Sequence, residues 1–214
     1  MRILLARHGE TRWNVEGRCQ GQGHDIPLSE TGRGQALALG TRLAGLPIRR
    51  AVASPLLRAR QTAELALGDR AGLLTFDPRL AEICHGQWEG LLAEEIQRRF
   101  PELQRAWRET PERVTLPGGE SLQDVAARAW PALAAACAGL EAEDVVLLVT
   151  HDAVNRVLLC RVLGLGLARV WSFRQASVCL NLLEGLDLEN LQVVRVNDAS
   201  HLVPLFGEAV HRKL

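Results

Sequence analysis

Residues Ile3 to Ala6 form a short, unbroken apolar run that stops abruptly at Arg7-His8-Gly9-Glu10-Thr11. Apolar at every position, such a run is the pattern of a strand buried on both faces of a parallel sheet. In open α/β sheets, ligands bind beyond the carboxyl ends of the strands. Arg7 and His8 therefore stand where a ligand would sit, and Gly9 would let another group approach the backbone closely. A guanidinium beside an imidazole at that place points to an anion, most simply a phosphate.

Two further runs repeat the arrangement. Val145 to Thr150 is the clearest strand in the chain, and it ends on His151. Arg50-Ala51-Val52-Ala53-Ser54 is a second short buried strand, stopped by Pro55, and a helix over about Leu57 to Leu67 brings Arg58 in just beyond it. If these strands are parallel, Arg7, His8, Arg58 and His151 leave the sheet at one edge. A lone arginine is usually a solvated charge, and a lone histidine at a strand end is often a core or turn residue. Weight comes from the coincidence of histidines ending the two strongest strands, one of them preceded by arginine. A phosphoryl group in transfer carries charge that guanidinium forks stabilise, and a neutral imidazole can attack phosphorus.

The remaining pattern alternates. A loop from Asp25 to Gly32 leads into a helix over about Thr31 to Ala44, and Phe76 to Leu80 is a weaker strand. Leu91 to Phe100 and Pro101 to Glu109 are short helices broken at Pro101. Ser121-Leu122-Gln123-Asp124 resembles a capping box and opens a helix toward Ala138, in which Pro131 predicts a kink or a break. A helix follows over about Ala153 to Leu163. Val178 to Leu183 and Leu191 to Val196 close the sheet as an antiparallel pair, because Glu184 to Asn190 is too short for a helical crossover. The expected fold is α/β, a three-layer α/β/α sandwich with a mostly parallel central sheet. No repeat or long linker divides the 214 residues, so 1–214 reads as a single domain with a helical elaboration at about 91–117.

Charge narrows the partners. Lys plus Arg number 25 and Asp plus Glu 25, which argues against nucleic acid and against a basic membrane surface. No stretch approaches a transmembrane span, and no signal pattern precedes the first strand. The five cysteines are scattered without a C-x-x-C pair, as for reduced thiols in a cytoplasmic protein, with Cys137 and Cys160 packed inside helices. The apolar tail around Leu202 to Phe206 would pack on the core or on a second copy, so a homodimer stays open.

Arg7-His8-Gly9-Glu10-Thr11 with Trp13-Asn14 resembles the signature of the histidine phosphatase superfamily, in its phosphoglycerate-mutase-like branch. Gln20-Gly21 and Asp25-Ile26-Pro27-Leu28-Ser29-Glu30-Thr31-Gly32 resemble the family's next loop. Ser54-Pro55-Leu56-Leu57-Arg58-Ala59-Arg60-Gln61-Thr62-Ala63 resembles its second arginine motif. Leu80-Ala81-Glu82 with Gly86-Gln87-Trp88-Glu89-Gly90 resembles its acidic motif, and Pro117-Gly118-Gly119-Glu120-Ser121 and Val149-Thr150-His151 complete the series. The resemblance implies that His8 is the nucleophile, passing through a phosphohistidine. It implies that Arg7, Arg58 and His151 bind the transferring phosphoryl group with help from Asn14, and that Glu82 is general acid and then base. Gln20 and Gly21 would read the leaving group. No metal and no cofactor are implied, since arginines and histidines supply the positive charge. Glu82 would need a raised pKa, which partial burial beside the phosphate can provide. Glu89 is expected to be structural, and Trp13 and Trp88 to be packing residues.

One departure stands out. Asp152 follows the second histidine where the family often has glycine. An N-cap for the next helix explains an acid there without charge repulsion at the phosphate, and Asp152→Asn would then preserve activity. Mutases of the family are usually longer, with an inserted segment that keeps water out. Glu16 to Gly23 resembles the phosphatase members, and an open site would admit water. The expected reaction is metal-independent hydrolysis of a small phosphorylated metabolite. A phosphoglycerate mutase and a catalytically weak binding member of the fold are the alternatives. Arg98, Arg99, Arg105, Arg108 and Arg113 are expected to be a solvated helix face; facing the pocket, they would favour a second anion on the substrate.

Overall fold

Six strands make one sheet in the computed structural model, which describes residues 1–202. They are β1 (Arg2–Arg7), β2 (Ile48–Ala53), β3 (Leu74–Phe76), β4 (Val145–Thr150), β5 (Leu180–Glu184) and β6 (Gln192–Asp198), in the spatial order β3-β2-β4-β1-β5-β6. The pairs β3–β2, β2–β4 and β4–β1 are parallel; β1–β5 and β5–β6 are antiparallel. The mostly parallel sheet and the closing antiparallel pair are as expected.

Helices cover both faces. Leu4, Ala6, Ala51, Ala53, Leu147 and Val149 pack with residues of α2 (Glu30–Leu43) and α3 (Leu57–Leu67). Ile3, Leu5, Val52, Val146 and Leu148 pack on the other side with α6 (Leu122–Cys137) and α7 (Asp152–Val162). Successive residues of each central strand thus serve opposite cores, which is why those strands read as continuous apolar runs. Three shorter helices, α1 (Arg12–Glu16), α4 (Ala93–Arg99) and α5 (Pro101–Glu109), flank the sandwich.

The chain leaves β1 toward α2 on one face and leaves β4 toward α7 on the other. Adjacent strands that part this way open a crevice at their carboxyl ends. Register puts Arg7 beside Thr150 and Ala53 beside Val149, so His8, His151 and Ser54 emerge together at that crevice.

Two local expectations need correction. Phe76 to Leu80 is not a strand: β3 ends at Phe76, and Pro78–Leu80 is a 3₁₀ turn. Asp77 accepts the Arg79 N–H at 2.9 Å and Pro78 supplies the helical φ, so turn chemistry overrides the apolar pattern. Of the kink or break expected at Pro131, the break does not occur, since α6 runs through it from Leu122 to Cys137. Ser121 caps that helix in a box with Asp124, and seven of its residues are buried, which outweighs one missing bond. All five cysteines are free, with Cys137 and Cys160 buried in helices. Of the apolar tail from Leu202 to Phe206, only Leu202 lies among the described residues, packed against the α2–α3 side. No described helix is long and apolar enough to cross a membrane.

Candidate active site

His8 is fixed by its own turn. Its backbone N–H donates to Thr150 at 2.9 Å, and its Nδ1 lies 2.7 Å from the carbonyl oxygen of Gly9. A carbonyl only accepts, so Nδ1 carries a proton, and the neutral form of the ring has its lone pair on Nε2. Glycine at position 9 is forced by packing: a Cβ there would lie 2.7 Å from the Gly32 carbonyl oxygen, at the start of α2. The close approach expected of Gly9 is therefore made by a neighbouring helix. The Gly9 N–H reaches Thr62 on α3 at 2.9 Å, tying β1 to the helix that carries Arg58.

The His8 and His151 ring centroids are 5.1 Å apart, tilted by 58°. His151 Nε2 is 2.7 Å from Ser54 Oγ, and its buried Nδ1 has no hydrogen-bond partner. Complete burial, with Arg58 next in weight, pulls the His151 pKa well below its ordinary value, so the ring is neutral. Arg58 is fully buried. Its Nη2 donates to the Gly21 carbonyl at 2.9 Å, while Nε and Nη1 have no partner among the described residues. That leaves one side of the guanidinium fork for an oxyanion. Arg7 Nη1 donates to the Gln175 carbonyl at 2.6 Å.

Glu82 Oε1 accepts the N–H groups of Ile83 at 2.9 Å and Ala153 at 3.3 Å, the latter in the first turn of α7. Burial first, then the charge of Asp152, push its pKa up to about 7, against the pull of Arg58 and Arg7. The raised pKa that the resemblance required of Glu82 is thus reached by burial in the protein itself. It also carries a stability signature. A carboxyl that holds its proton more tightly when folded stabilises the fold fully below its unfolded value of 4.5, and that contribution is lost as pH rises through about 7. Glu82→Gln is therefore expected to leave denaturant stability nearly unchanged at pH 4.5 and to raise it by a few kcal/mol at pH 8. An equal effect at both pH values contradicts the raised pKa.

The expected substrate-binding residues divide. Asn14 sits in α1, where its Oδ1 takes the Thr11 N–H at 3.0 Å in a capping box. Only its amide NH₂ remains to donate to an oxyanion. Gln20 Oε1 accepts from Thr11 Oγ1 at 3.0 Å, and its buried Nε2 has no partner. Gly21 acts through Arg58, which holds its carbonyl. A Cβ on Gly21 would lie 1.9 Å from Glu89 Oε1, so the loop can approach only as glycine. Glu89 is the structural anchor expected: it accepts N–H groups of Gln22, Gly23 and His85 at 2.7–3.0 Å. Trp88 is buried in the core, whereas Trp13 is half-buried against His24. Arg98, Arg99, Arg105, Arg108 and Arg113 are all exposed, as a solvated face should be.

Asp152 is not a cap. His151 occupies the N-cap position and Asp152 is the first helical residue. Its Oδ2 accepts from Arg156 Nε at 2.8 Å, and its Oδ1 lies 3.9 Å from Arg7 Nη1. An arginine one turn on, invisible to a capping argument, pairs with the carboxylate. The site is also less open than expected: Arg7, His8, Arg58, Glu82 and His151 are each 6% exposed or less.

Several supports were not legible as functional. Glu120 Oε2 accepts from Cys84 N–H, Gln22 Nε2 and Arg128 Nη2 at 2.8–3.1 Å. Arg128 also donates to the carbonyls of Arg79, Ala81 and Glu82. Together they clamp the backbone that carries Glu82. Asp25 accepts the Leu57 N–H at 2.6 Å and so caps α3 beside Arg58. Ser54, Asp25 and Glu120 lie within the quoted motifs, so position marked them though their roles did not show.

Paired imidazoles and a buried guanidinium fork stand together at the carboxyl edge of the parallel sheet, a setting suited to a tetrahedral oxyanion. Comparison with known proteins narrows this. Residues 3–199 match the histidine phosphatase superfamily (branch 1), and the chain belongs to that superfamily as a phosphatase of the family. It is 33% identical to phosphoserine phosphatase 1 of Hydrogenobacter thermophilus, with 98% of each chain covered. It is 33% identical to the probable phosphoglycerate mutase GpmB of Salmonella choleraesuis, over 94% of this chain and 95% of that one. The structure of mycobacterial glucosyl-3-phosphoglycerate phosphatase with VO3 superposes with a TM-score of 0.82 at 35% identity, covering 92% of this chain and 98% of that one.

Proposed function

We propose that this protein hydrolyses small phosphorylated metabolites without a metal ion, through a phosphohistidine on His8. The observation that carries this reading is the Nδ1 contact of His8 with Gly9, which directs Nε2 of the neutral tautomer to act as the nucleophile, with the His151 ring 5.1 Å away. In the first step His8 Nε2 forms the bond to phosphorus. The ester P–O bond breaks, and the leaving alkoxide takes the Glu82 proton. In the second step Glu82 accepts a proton from water, the new hydroxide attacks phosphorus and the P–N bond breaks. This returns His8 and releases phosphate. Arg7, Arg58, His151 and the Asn14 amide hold the equatorial oxygens throughout, so the charge a metal would balance is met by guanidinium forks. Gln20, whose buried Nε2 has no partner among the described residues, would read the leaving group.

A phosphoglycerate mutase is the second reading, favoured by the shelter of the site side chains, each 6% exposed or less, since slow entry of water favours transfer to a second hydroxyl. Assays with EDTA present, on p-nitrophenyl phosphate and a panel of phosphorylated metabolites, separate the readings. Phosphate release undiminished by EDTA is expected. Strict metal dependence overturns the mechanism. Isomerisation of 3-phosphoglycerate faster than its hydrolysis selects the mutase, and no turnover at any pH selects a binding protein.

A further inference from the structure

Asp152 sets a carboxylate 3.9 Å from Arg7 Nη1, beside the paired imidazoles. It is the first residue of α7, directly after His151. The next residue, Ala153, gives its N–H to Glu82 Oε1 at 3.3 Å, so one helical turn carries Asp152 and seats Glu82. The Asp152 carboxylate is fixed in orientation. Its partner Arg156 also donates to the carbonyls of Val170 and Phe173 and lies over the Trp171 ring at 5.3 Å. Charged groups act on Glu82 from three elements: Arg7 from the end of β1, Arg58 from α3 and Asp152 from the start of α7. Arg128 of α6, paired with Glu120, holds its carbonyl.

We propose that Asp152 is a positioning residue of the reaction, its carboxylate biasing Glu82 toward the protonated form that expulsion of an alkoxide requires. This rests on the acid–base reading of Glu82. Two cations beside Glu82 favour its ionised form, and an acid with no proton cannot serve the first step. A fixed negative charge opposes them. The same carboxylate lies 3.9 Å from Arg7 and bonded to Arg156, which offsets its repulsion of the phosphate. The cost to anion binding is thereby limited while the effect on Glu82 is kept.

The test is the pH profile of kcat/KM with β-glycerophosphate, an alkyl ester whose leaving group needs a proton, compared with p-nitrophenyl phosphate, whose leaving group does not. Asp152→Asn is expected to move the alkaline limb with the alkyl ester down by about one pH unit, a roughly tenfold loss at pH 8. Asp152→Glu is expected to restore it, and p-nitrophenyl phosphate should show no such shift. Asp152→Ser serves if the Asn variant does not fold. Glu82→Gln identifies the limb. If it removes the limb but Asp152→Asn leaves it in place, the proposal fails and the acid–base reading stands. A limb that survives Glu82→Gln overturns both.

Discussion

His8→Ala is expected to lower phosphomonoester turnover by about 10⁴-fold or more. The loss is large because no neighbour can take over the attack. His151 is the only other imidazole in contact with His8 among the described residues, and its Nε2 is held 2.7 Å from Ser54 Oγ. Glu82 seats its Oε1 on two backbone N–H groups. Binding should survive the substitution, because Arg7, Arg58 and His151 remain. Inorganic phosphate should still raise the melting temperature of the variant. His8 is 2% exposed, so His8→Asn, closer in volume, separates loss of the nucleophile from a packing defect. Turnover within a hundredfold of the parent in both variants contradicts the assignment.

Arg58→Met is expected to lower kcat/KM by about 10²–10³-fold and to weaken inhibition by orthovanadate in parallel. The guanidinium is fully buried, takes no carboxylate in a hydrogen bond, and spends one nitrogen on the Gly21 carbonyl. Its Nε and Nη1 have no partner among the described residues. A buried charge in that state is a burden on folding, and methionine of similar length relieves it. Melting temperature should therefore rise as activity falls, with the Gly21 carbonyl left unpaired as the opposing loss. A variant that is both less stable and nearly as active would make Arg58 a structural residue.

Much of this arrangement was legible because it depends on local pattern. The runs before His8 and His151 are apolar at every position since both faces of β1 and β4 are covered, and their histidines are placed by where the runs stop. Arg58 follows from the same logic at β2. Glu82 is different: nothing in its own periodicity marks it, and only its motif does. Its raised pKa depends on burial and on Asp152, which no spacing shows. Residues that act through long-range pairs were hidden. Ser54 meets His151 from 97 positions away, and Gln175 meets Arg7 from 168. Arg128 looks like any exposed helix cation until the acidic motif is folded against it. The misplaced third strand and the misread Asp152 share one cause. A neighbour's side chain or turn, Asp77-Pro78 in one case and Arg156 in the other, decided what the local apolar or capping pattern left open.

The most direct measurement of the central claim is rapid quench of the enzyme with a ³²P-labelled phosphoester, followed by peptide mapping. A label that survives alkali, is lost in acid and maps to the peptide bearing His8 is the expected result. A label on another residue, or turnover with no labelled protein at any time in the pre-steady state, contradicts it.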